Sequence, residues 1–245
     1  LRPPDMDSIG FICDPDHPVF HSVAERLAAR GFEVSFFRPS DPLGPADIDS
    51  LSALASGVVH PAAFAALGYA DRAGVPTWNG FLVATALSAR LVTFDALETV
   101  GCRVPSVRFD GPHEGYVPAH RYAWEGAFTL GGSAPFYVEA VGDGPTHRYY
   151  AVDDGRETHM RALSVRATIS DGGRLLERTD VDAARAPSSS SSSRTEAARA
   201  VDVDFRRCDD GEYYAVRATP TPAFTGTGMD RRVADSVASL TTIGA

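Results

Sequence analysis

The stretch Gly211-Glu-Tyr-Tyr-Ala-Val-Arg-Ala-Thr-Pro-Thr-Pro-Ala-Phe224 carries three structural signals in succession. It opens with the glycine of an Asp-Gly turn, continues with residues typical of a β-strand, and ends in a proline-rich exit. Residues 201–207 precede the turn and are also strand-like, so the two segments are predicted to form an antiparallel hairpin. The strand after the turn carries Arg217 and, two residues later, Thr219.

The same hairpin signal occurs earlier in the chain. Strand-like residues 148–152 and 157–165 flank Asp153-Asp154-Gly155, again with Asp-Gly at the turn. The Pro- and Ser-rich segment 187–194, which contains six consecutive serines, predicts a flexible loop. The other elements predicted here are strands within residues 116–130 and 136–141, a short helix at 195–200 and an amphipathic helix at 231–240.

The first 79 residues predict a different architecture. An apolar run at residues 7–13 fits a buried strand, a Pro-containing turn then starts a helix, and residues 32–37 form a second strand. A β-α-β order of this kind implies a parallel sheet. Residues 61–73 continue it as an Ala-rich helix, and a last strand ends at Asn79.

The predicted fold class is therefore α/β plus α+β. It comprises an N-terminal parallel-sheet domain at residues 1–79, a helical connector at 80–110 and an antiparallel α+β region at 111–245. No internal repeat interrupts this order.

The basic residues of the chain are all arginine. There are 23 of them and no lysine, against 32 acidic residues and a net charge of −9. A GC-rich genome or a salt-adapted, halophilic cytoplasm would each produce this composition. The absence of lysine excludes a Schiff base or a lysine general base, and the acidic balance disfavours nucleic-acid binding.

Cysteine usage and hydropathy favour a cytoplasmic protein without a membrane segment. The three cysteines are unclustered, which argues against a disulfide framework or a zinc site. No apolar run approaches the roughly 18 residues needed to span a bilayer, and no secretory signal is recognisable.

Several polar clusters are explained by turn chemistry as well as by function. The acidic pairs Asp153-Asp154 and Asp209-Asp210 each precede a glycine and are interpreted as turn residues. Asp14, Asp16 and His17 follow a strand, where α/β folds place ligand groups, yet capping explains them equally. The dispersed histidines show no metal-ligand spacing; they include His113, His120, His147 and His159.

Two signatures in this order resemble the ATP-grasp superfamily. The first is Gly74-Val-Pro-Thr-Trp-Asn79 followed by the segment from Arg90 to Pro105, similar to the family pattern Gly-Val-Pro-x-x-Asn, helix, Asp-Lys, helix, Gly-x-x-x-Pro. The second is Val201-Asp-Val-Asp-Phe205 with the hairpin and strand quoted above. The resemblance covers roughly residues 7–241 and is closest to the glutathione-synthetase and RimK-like peptide-glutamate-ligase type.

The resemblance implies a pre-ATP-grasp-like first domain and a two-lobe region that holds ATP and Mg²⁺ while a carboxylate is activated and joined to an amine. Phosphoryl transfer of this kind depends on positioning and charge stabilisation. Arg90 and Arg121 stand where the family has lysines, and Asp204 stands at a metal ligand. The glycine-rich flap would fall at Gly126, Gly131 and Gly132. The residues expected to face adenine are Glu139, Ala140 and Val141.

The chain departs from the family at the metal site. Arg217 occupies the position of a metal-binding Glu, and Thr219 that of an Asn. A guanidinium there removes a ligand and repels a divalent ion, at a cost on the order of several kcal/mol in a partly buried site. Three interpretations stay open: Arg217 binds an anion directly, it forms a structural ion pair with Asp204, or the alignment is wrong.

These observations lead to three functional hypotheses. The first is an ATP-grasp-like pseudoenzyme that binds a nucleotide, another small anion or a partner protein. The second is an active ATP- and Mg²⁺-dependent carboxylate–amine ligase that uses Arg90 and Arg121 in place of lysines, with metal ligands from Asp202, Asp204 or elsewhere. The third is a ligand-free interaction subunit, in one version a homodimer through the first α/β domain.

Overall fold

A computed structural model of the chain describes residues 6–41, 43–122, 136–142, 144–167, 175–180, 198–208 and 210–242. The predicted Ser-rich loop and the three glycines of the predicted flap lie outside these residues.

The N-terminal part forms the predicted parallel sheet. Four strands in the order β2-β1-β3-β4 pair in parallel throughout. Since parallel strands need crossover connections, a helix separates each from the next. The elements are β1 (Ser8–Ile12), α1 (Pro18–Ala28), β2 (Glu33–Phe37), α2 (Pro45–Asp49), β3 (Ala53–Ser56), α3 (Pro61–Ala73) and β4 (Thr77–Trp78).

Two short helices lead from this sheet to the rest of the chain. Helix α4 (Phe81–Ser88) is followed by Ala89, whose backbone is extended, and helix α5 (Arg90–Thr99) begins at the next residue. Gly101, at φ 87°, stops α5 in the left-handed conformation that glycine adopts without strain. Because α5 begins directly after Ala89, Arg90 lies in the first turn of α5.

The remaining strands form two antiparallel sheets. The larger has the order β10-β9-β8-β11-β12, and the smaller has the order β5-β7-β6. Both Asp-Gly hairpins are present and join β8 to β9 and β11 to β12. The strands are β5 (Val107–Arg108), β6 (Tyr116–Ala119), β7 (Phe136–Glu139), β8 (Thr146–Asp153), β9 (Thr158–Ala167), β10 (Leu175–Asp180), β11 (Ala200–Arg207) and β12 (Tyr213–Thr219).

A bulge interrupts the pairing of β11 with β12. Asp204 is paired with Arg217, whereas Phe205 is paired with Ala215, so Val216 is an additional residue on β12. A bulge of this kind re-aims the side chains that follow it. Here it places Arg217 opposite Asp204.

One hydrophobic core joins the parallel sheet to the large antiparallel sheet. Helix α6 (Asp230–Ala238) packs against α1, and its buried Val233 and Val237 belong to the same cluster as Phe11 of β1 and Val152 of β8. Trp78 is fully buried in this cluster and donates a hydrogen bond from Nε1 to Ser236 Oγ over 2.9 Å. The boundaries at residues 79 and 110 stay predictions.

Two smaller expectations differ from the structure. The strand predicted within residues 116–130 ends at Ala119, and residues 123–130 lie outside the described part. The short helix predicted at 195–200 does not extend to Ala200, because that residue already begins β11 and pairs with Val152. Among the described residues, no helix has the length and apolar character needed to cross a membrane.

Candidate functional site

A cleft of about 810 Å³ lies between the small sheet and three strands of the large sheet. Its walls combine apolar residues of β6 and β7 with charged residues of α5, β8, β11 and β12. Its lining residues are Arg90, Pro105, Val117, Pro118, Ala119, Val138, Glu139, Ala140, Val141, Gly142, Thr146, Arg148, Asp204, Arg206, Val216 and Arg217.

Asp204 is held between two guanidinium groups. It lies on the central strand β11, opposite Arg148 of β8 and opposite Arg217 of β12. Arg148 contacts both carboxylate oxygens, with Nε 2.5 Å from Oδ1 and Nη2 2.8 Å from Oδ2, while Arg217 Nη1 lies 3.4 Å from Oδ2. Asp204 is only 8% exposed, and its hydrogen bond raises the pKa of Arg148 above the usual range.

Arg90 brings a further positive charge to Arg217. The main-chain N–H of Arg90 donates to the carbonyl oxygen of Arg121 over 3.0 Å, which ties the start of α5 to the segment after β6. Burial and, secondarily, the charge of Arg217 lower the pKa of Arg90. Two neighbouring cations repel each other, and an anion bound between them would relieve that repulsion.

Asp202 is buried two residues before Asp204. It is 2% exposed, and its Oδ1 has no hydrogen-bond partner among the described residues. Burial raises the pKa of Asp202 to about 6, and Asp204 adds to this, although Arg217 and Arg148 act in the opposite direction. Asp202 is absent from the described lining of the cleft.

The segment after β7 is fixed by hydrogen bonds from two neighbouring loops. Glu139 accepts from the main-chain N–H of Ser106 over 3.1 Å and from its hydroxyl over 2.8 Å. The main-chain N–H of Ala140 donates to Gly115 over 2.7 Å, and Arg206 Nη1 donates to the carbonyl oxygen of Val141 over 3.4 Å. The wall formed by residues 139–142 is therefore hydrogen-bonded to both loops and to Arg206.

The comparisons with known proteins identify the architecture. No family model and no curated protein matches the chain. Solved structures do match, over nearly its full length. The ATP-grasp ligase PsnB, complexed with minimal precursor, Mg and ADP, aligns at TM-score 0.62 and 17% identity and covers 98% of this chain and 100% of that chain. The chain has the ATP-grasp fold.

Two further ATP-grasp structures agree with this assignment. The macrocyclase MdnC bound with precursor peptide MdnA, from Microcystis aeruginosa MRC, aligns at TM-score 0.64 and 10% identity, covering 95% of this chain and 99% of that chain. A RimK domain ATP-grasp protein from Sphaerobacter thermophilus DSM 20745 aligns at TM-score 0.62 and 15% identity, covering 96% and 98%. At these identities the likeness concerns the fold alone.

Most of the site residues predicted from the sequence line this one cleft. They are Arg90, Glu139, Ala140, Val141, Asp204 and Arg217. Arg121 is the exception, because its carbonyl supports Arg90 while the residue is absent from the described lining. The ion pair between Arg217 and Asp204, one of the three interpretations left open, is present.

Sequence reasoning missed Arg148 and Arg206. Arg206 could have been found, because it follows Asp204 by two residues and alternate residues of a strand point to the same face. Arg148 could not, since nothing local indicates that β8 pairs with β11 in the register that places Arg148 opposite Asp204.

The residues at the expected metal position do not fit a divalent cation. Both oxygens of Asp204 are engaged by Arg148, and Arg217 adds a cation where the resemblance places a carboxylate ligand. Thr219 is 3% exposed, and its hydroxyl lies 3.3 Å from that of Thr221. An anion fits this arrangement better than Mg²⁺ does.

A second acidic cluster lies at the β8–β9 turn. Asp154, Glu157 and His159 have ligand atoms within 4.8 Å of one another. Asp154 Oδ1 accepts from the main-chain N–H groups of Arg156 and Glu157, and Oδ2 lies 2.9 Å from His159 Nε2. Partial burial acts to raise the pKa of Asp154, but these hydrogen bonds lower it to about 2. Asp154 thus stabilises the turn, as expected for an Asp before Gly.

Proposed function

We propose that this protein is an ATP-grasp-like pseudoenzyme that binds the phosphate groups of a nucleotide, or a comparable small anion, through arginine instead of Mg²⁺. The observation that carries the proposal is the position of Asp204, whose two oxygens are bound by Arg148 and contacted by Arg217. A carboxylate already neutralised in this way is not available to a metal ion.

The charges of the cleft support an anionic ligand. Its described lining contains four arginines and two acids. Asp204 is paired with Arg148 and Arg217, and Glu139 is the other acid of the lining, so the four arginines leave the cleft with a positive balance of two charges. Guanidinium groups bind phosphate in a bidentate manner and stay protonated at all relevant pH values.

The remaining wall supports a flat organic group beside the anion. Glu139, Ala140 and Val141 line the same cleft as the arginines, together with the apolar side chains of Val117 and Val138. We place the base of a nucleotide against this wall. In the proposed complex Arg90 and Arg217 hold the phosphates, and the main chain of residues 139–141 orients the base.

The active ligase is the second candidate. Its support is that PsnB, a protein of the same fold, is described as a ligase complexed with Mg and ADP. For this chain to work in that way, Asp204 would have to exchange Arg148 for a metal ion, and Asp202 would have to supply an additional ligand.

Titration calorimetry with ATP in EDTA and in Mg²⁺ tests the proposal. We expect comparable affinity in both. Arg217→Ala should weaken binding by about tenfold or more, since hydrogen bonds to charged groups contribute about 1.5–3 kcal/mol. The matched control is Arg231→Ala, at an arginine of α6 that is 77% exposed. Binding that requires Mg²⁺ would contradict the proposal, and no binding at all would favour the ligand-free interaction subunit.

The variant Asp204→Asn separates the two candidates by the sign of its effect. Without the negative charge, Arg148 and Arg217 become free to bind phosphate, so metal-free ATP binding should tighten by about tenfold. An active ligase should instead lose Mg²⁺-dependent ATP turnover. Asp110→Asn, at an exposed aspartate paired with Arg108, is the control. Turnover stimulated by an amino acid and Mg²⁺, and abolished in Asp204→Asn, would establish the ligase.

A further inference from the structure

A second, smaller cavity of about 90 Å³ lies behind the arginine pair of the cleft. We refer to it as the side pocket. It is formed where α4 and the first turn of α5 pack against β12. Its lining residues are Leu87, Ser88, Arg90, Thr93, Phe94, Val216, Arg217 and Ala218. Since Arg90, Val216 and Arg217 line both cavities, the two are neighbours with shared walls.

The side pocket is apolar apart from its two arginines. The hydroxyl of Ser88 donates to the carbonyl oxygen of Ala84 over 2.6 Å, and that of Thr93 donates to Leu87 over 3.0 Å. Both hydroxyl protons are therefore bound by helix carbonyls and are not available to donate to a ligand. The other lining residues are Leu87, Phe94, Val216 and Ala218, all of them apolar.

The arginines give the side pocket a distinct chemistry. No acidic residue occurs among its described lining residues, so Arg90 and Arg217 border a space whose other lining residues carry no charge. A ligand that satisfies both features has an anionic head and an aliphatic tail. The volume corresponds to about three water molecules at about 30 Å³ each, or roughly three carbon atoms.

We propose that the side pocket binds the aliphatic tail of a small organic anion with about three carbons beyond its head group, which Arg90 and Arg217 hold. The inference rests on the proposed function only in using the same two arginines as an anion site. The head group is a carboxylate or a phosphate monoester, since a guanidinium recognises both.

A chain-length series of carboxylates tests the side pocket. Acetate, propanoate, butanoate, hexanoate and the neutral control butanamide are titrated by calorimetry. Affinity should rise by about fourfold per methylene up to butanoate and then level off or fall, because each buried methylene contributes a fixed increment until the pocket is full. Propyl phosphate, with the same three-carbon tail, distinguishes the two head groups. Affinity that does not depend on tail length would overturn the inference.

Two variants change the volume in opposite directions. Ala218→Leu fills the side pocket, so the affinity should no longer rise with the length of the tail. Phe94→Leu enlarges the pocket, so the tail length that gives the highest affinity should increase. Circular dichroism verifies folding, and the Phe94→Leu result decides if Ala218→Leu does not fold. An unchanged chain-length profile in the folded variants would refute the inference.

Pyrophosphate distinguishes this inference from the proposed function. It has no tail and probes the cleft alone. Tail-independent binding of carboxylates together with tight pyrophosphate binding would refute the side pocket and leave the proposed function intact. Tail-dependent carboxylate binding without pyrophosphate binding would support the side pocket and contradict the proposed function.

Discussion

At the scale of single residues, the ligand preference of the site depends on one ion-paired carboxylate. Asp204 was identified from the sequence because it precedes an Asp-Gly hairpin in the frame of a known family, and Arg217 because it departs from that frame. The partner that neutralises Asp204, Arg148, lies 56 residues away in sequence. Local patterns do not report such a distant pairing, so the sequence left open an ion pair of Asp204 with Arg217 but not the closer one with Arg148.

The raised pKa of Asp202 predicts how the stability of the protein depends on pH. Its pKa is raised from 3.8 to about 6, so between these values the folded state binds more protons than the unfolded state. The free energy of unfolding therefore falls as the pH rises from about 4 to 6. The total decrease is on the order of 3 kcal/mol. The charged and titratable groups around Asp202 are Arg148, Tyr150, Asp204 and Arg217.

The variant Asp202→Asn isolates this contribution from those of the other acids. The variant should gain stability over the wild type as the pH rises, with most of the gain between pH 4 and 6 and on the order of 3 kcal/mol in total. Urea denaturation of both proteins at several pH values measures the difference. A stability difference that is independent of pH would show that Asp202 does not titrate in this range.

At the scale of elements, Asn79 connects the parallel sheet to the strands of the site. It is the only asparagine in the chain and follows β4 at φ 59°, a left-handed conformation that asparagine tolerates. Its Oδ1 accepts from the main-chain N–H groups of Arg199 and Ala200, and its Nδ2 donates to the carbonyl oxygens of Ala200 and Pro220. The start of β11 and the exit of β12 are thereby fixed to one side chain.

Replacement of Asn79 should therefore destabilise the protein strongly. Asn79→Ala leaves buried main-chain groups without partners, at about 1–3 kcal/mol each, so a total loss of about 3 kcal/mol or more is expected. Glycine adopts the positive φ without strain but has no side chain to form the hydrogen bonds. Asn79→Gly should therefore recover little of that loss. Chemical denaturation compares the two. Full recovery by glycine would mean that backbone strain, not the hydrogen bonds, is the cause.

The elements themselves were largely predictable. The β-α-β order and the two Asp-Gly hairpins follow from periodicity and turn chemistry, and all are present in the fold. The order of strands in the large sheet was not predictable, because β8 pairs with β11 across a connection of more than forty residues. The cleft depends on that pairing, which explains why elements were predicted better than the site.

At the scale of the whole molecule, the parallel sheet and the large antiparallel sheet share one core. Phe20 of α1, Trp78 of β4, Tyr150 of β8 and Phe224 after β12 lie in a single buried cluster. Trp78 packs edge-on against Phe20 and at 6.3 Å from the ring of Phe224. The two sheets are therefore expected to unfold together.

Denaturation followed by two probes tests this cooperativity. Fluorescence of Trp78, measured in a Trp124→Phe variant, reports the shared core, while far-ultraviolet circular dichroism reports all helices and strands. The two transitions should coincide, as expected for a single cooperative unit. Separate midpoints would show that residues 1–79 form an independently stable domain.

The bulge on β12 has a consequence for reading related sequences. Phe205 pairs with Ala215, so in a regular ladder Asp204 would pair with residue 216. Residue 217 would then lie on the opposite face of the sheet. A homologous chain that is one residue shorter here would place its equivalent of Arg217 over the same carboxylate without any bulge. When such sequences are aligned with this one, the gap belongs at Val216, because a gap placed elsewhere would compare Arg217 with a residue from the opposite face of the sheet.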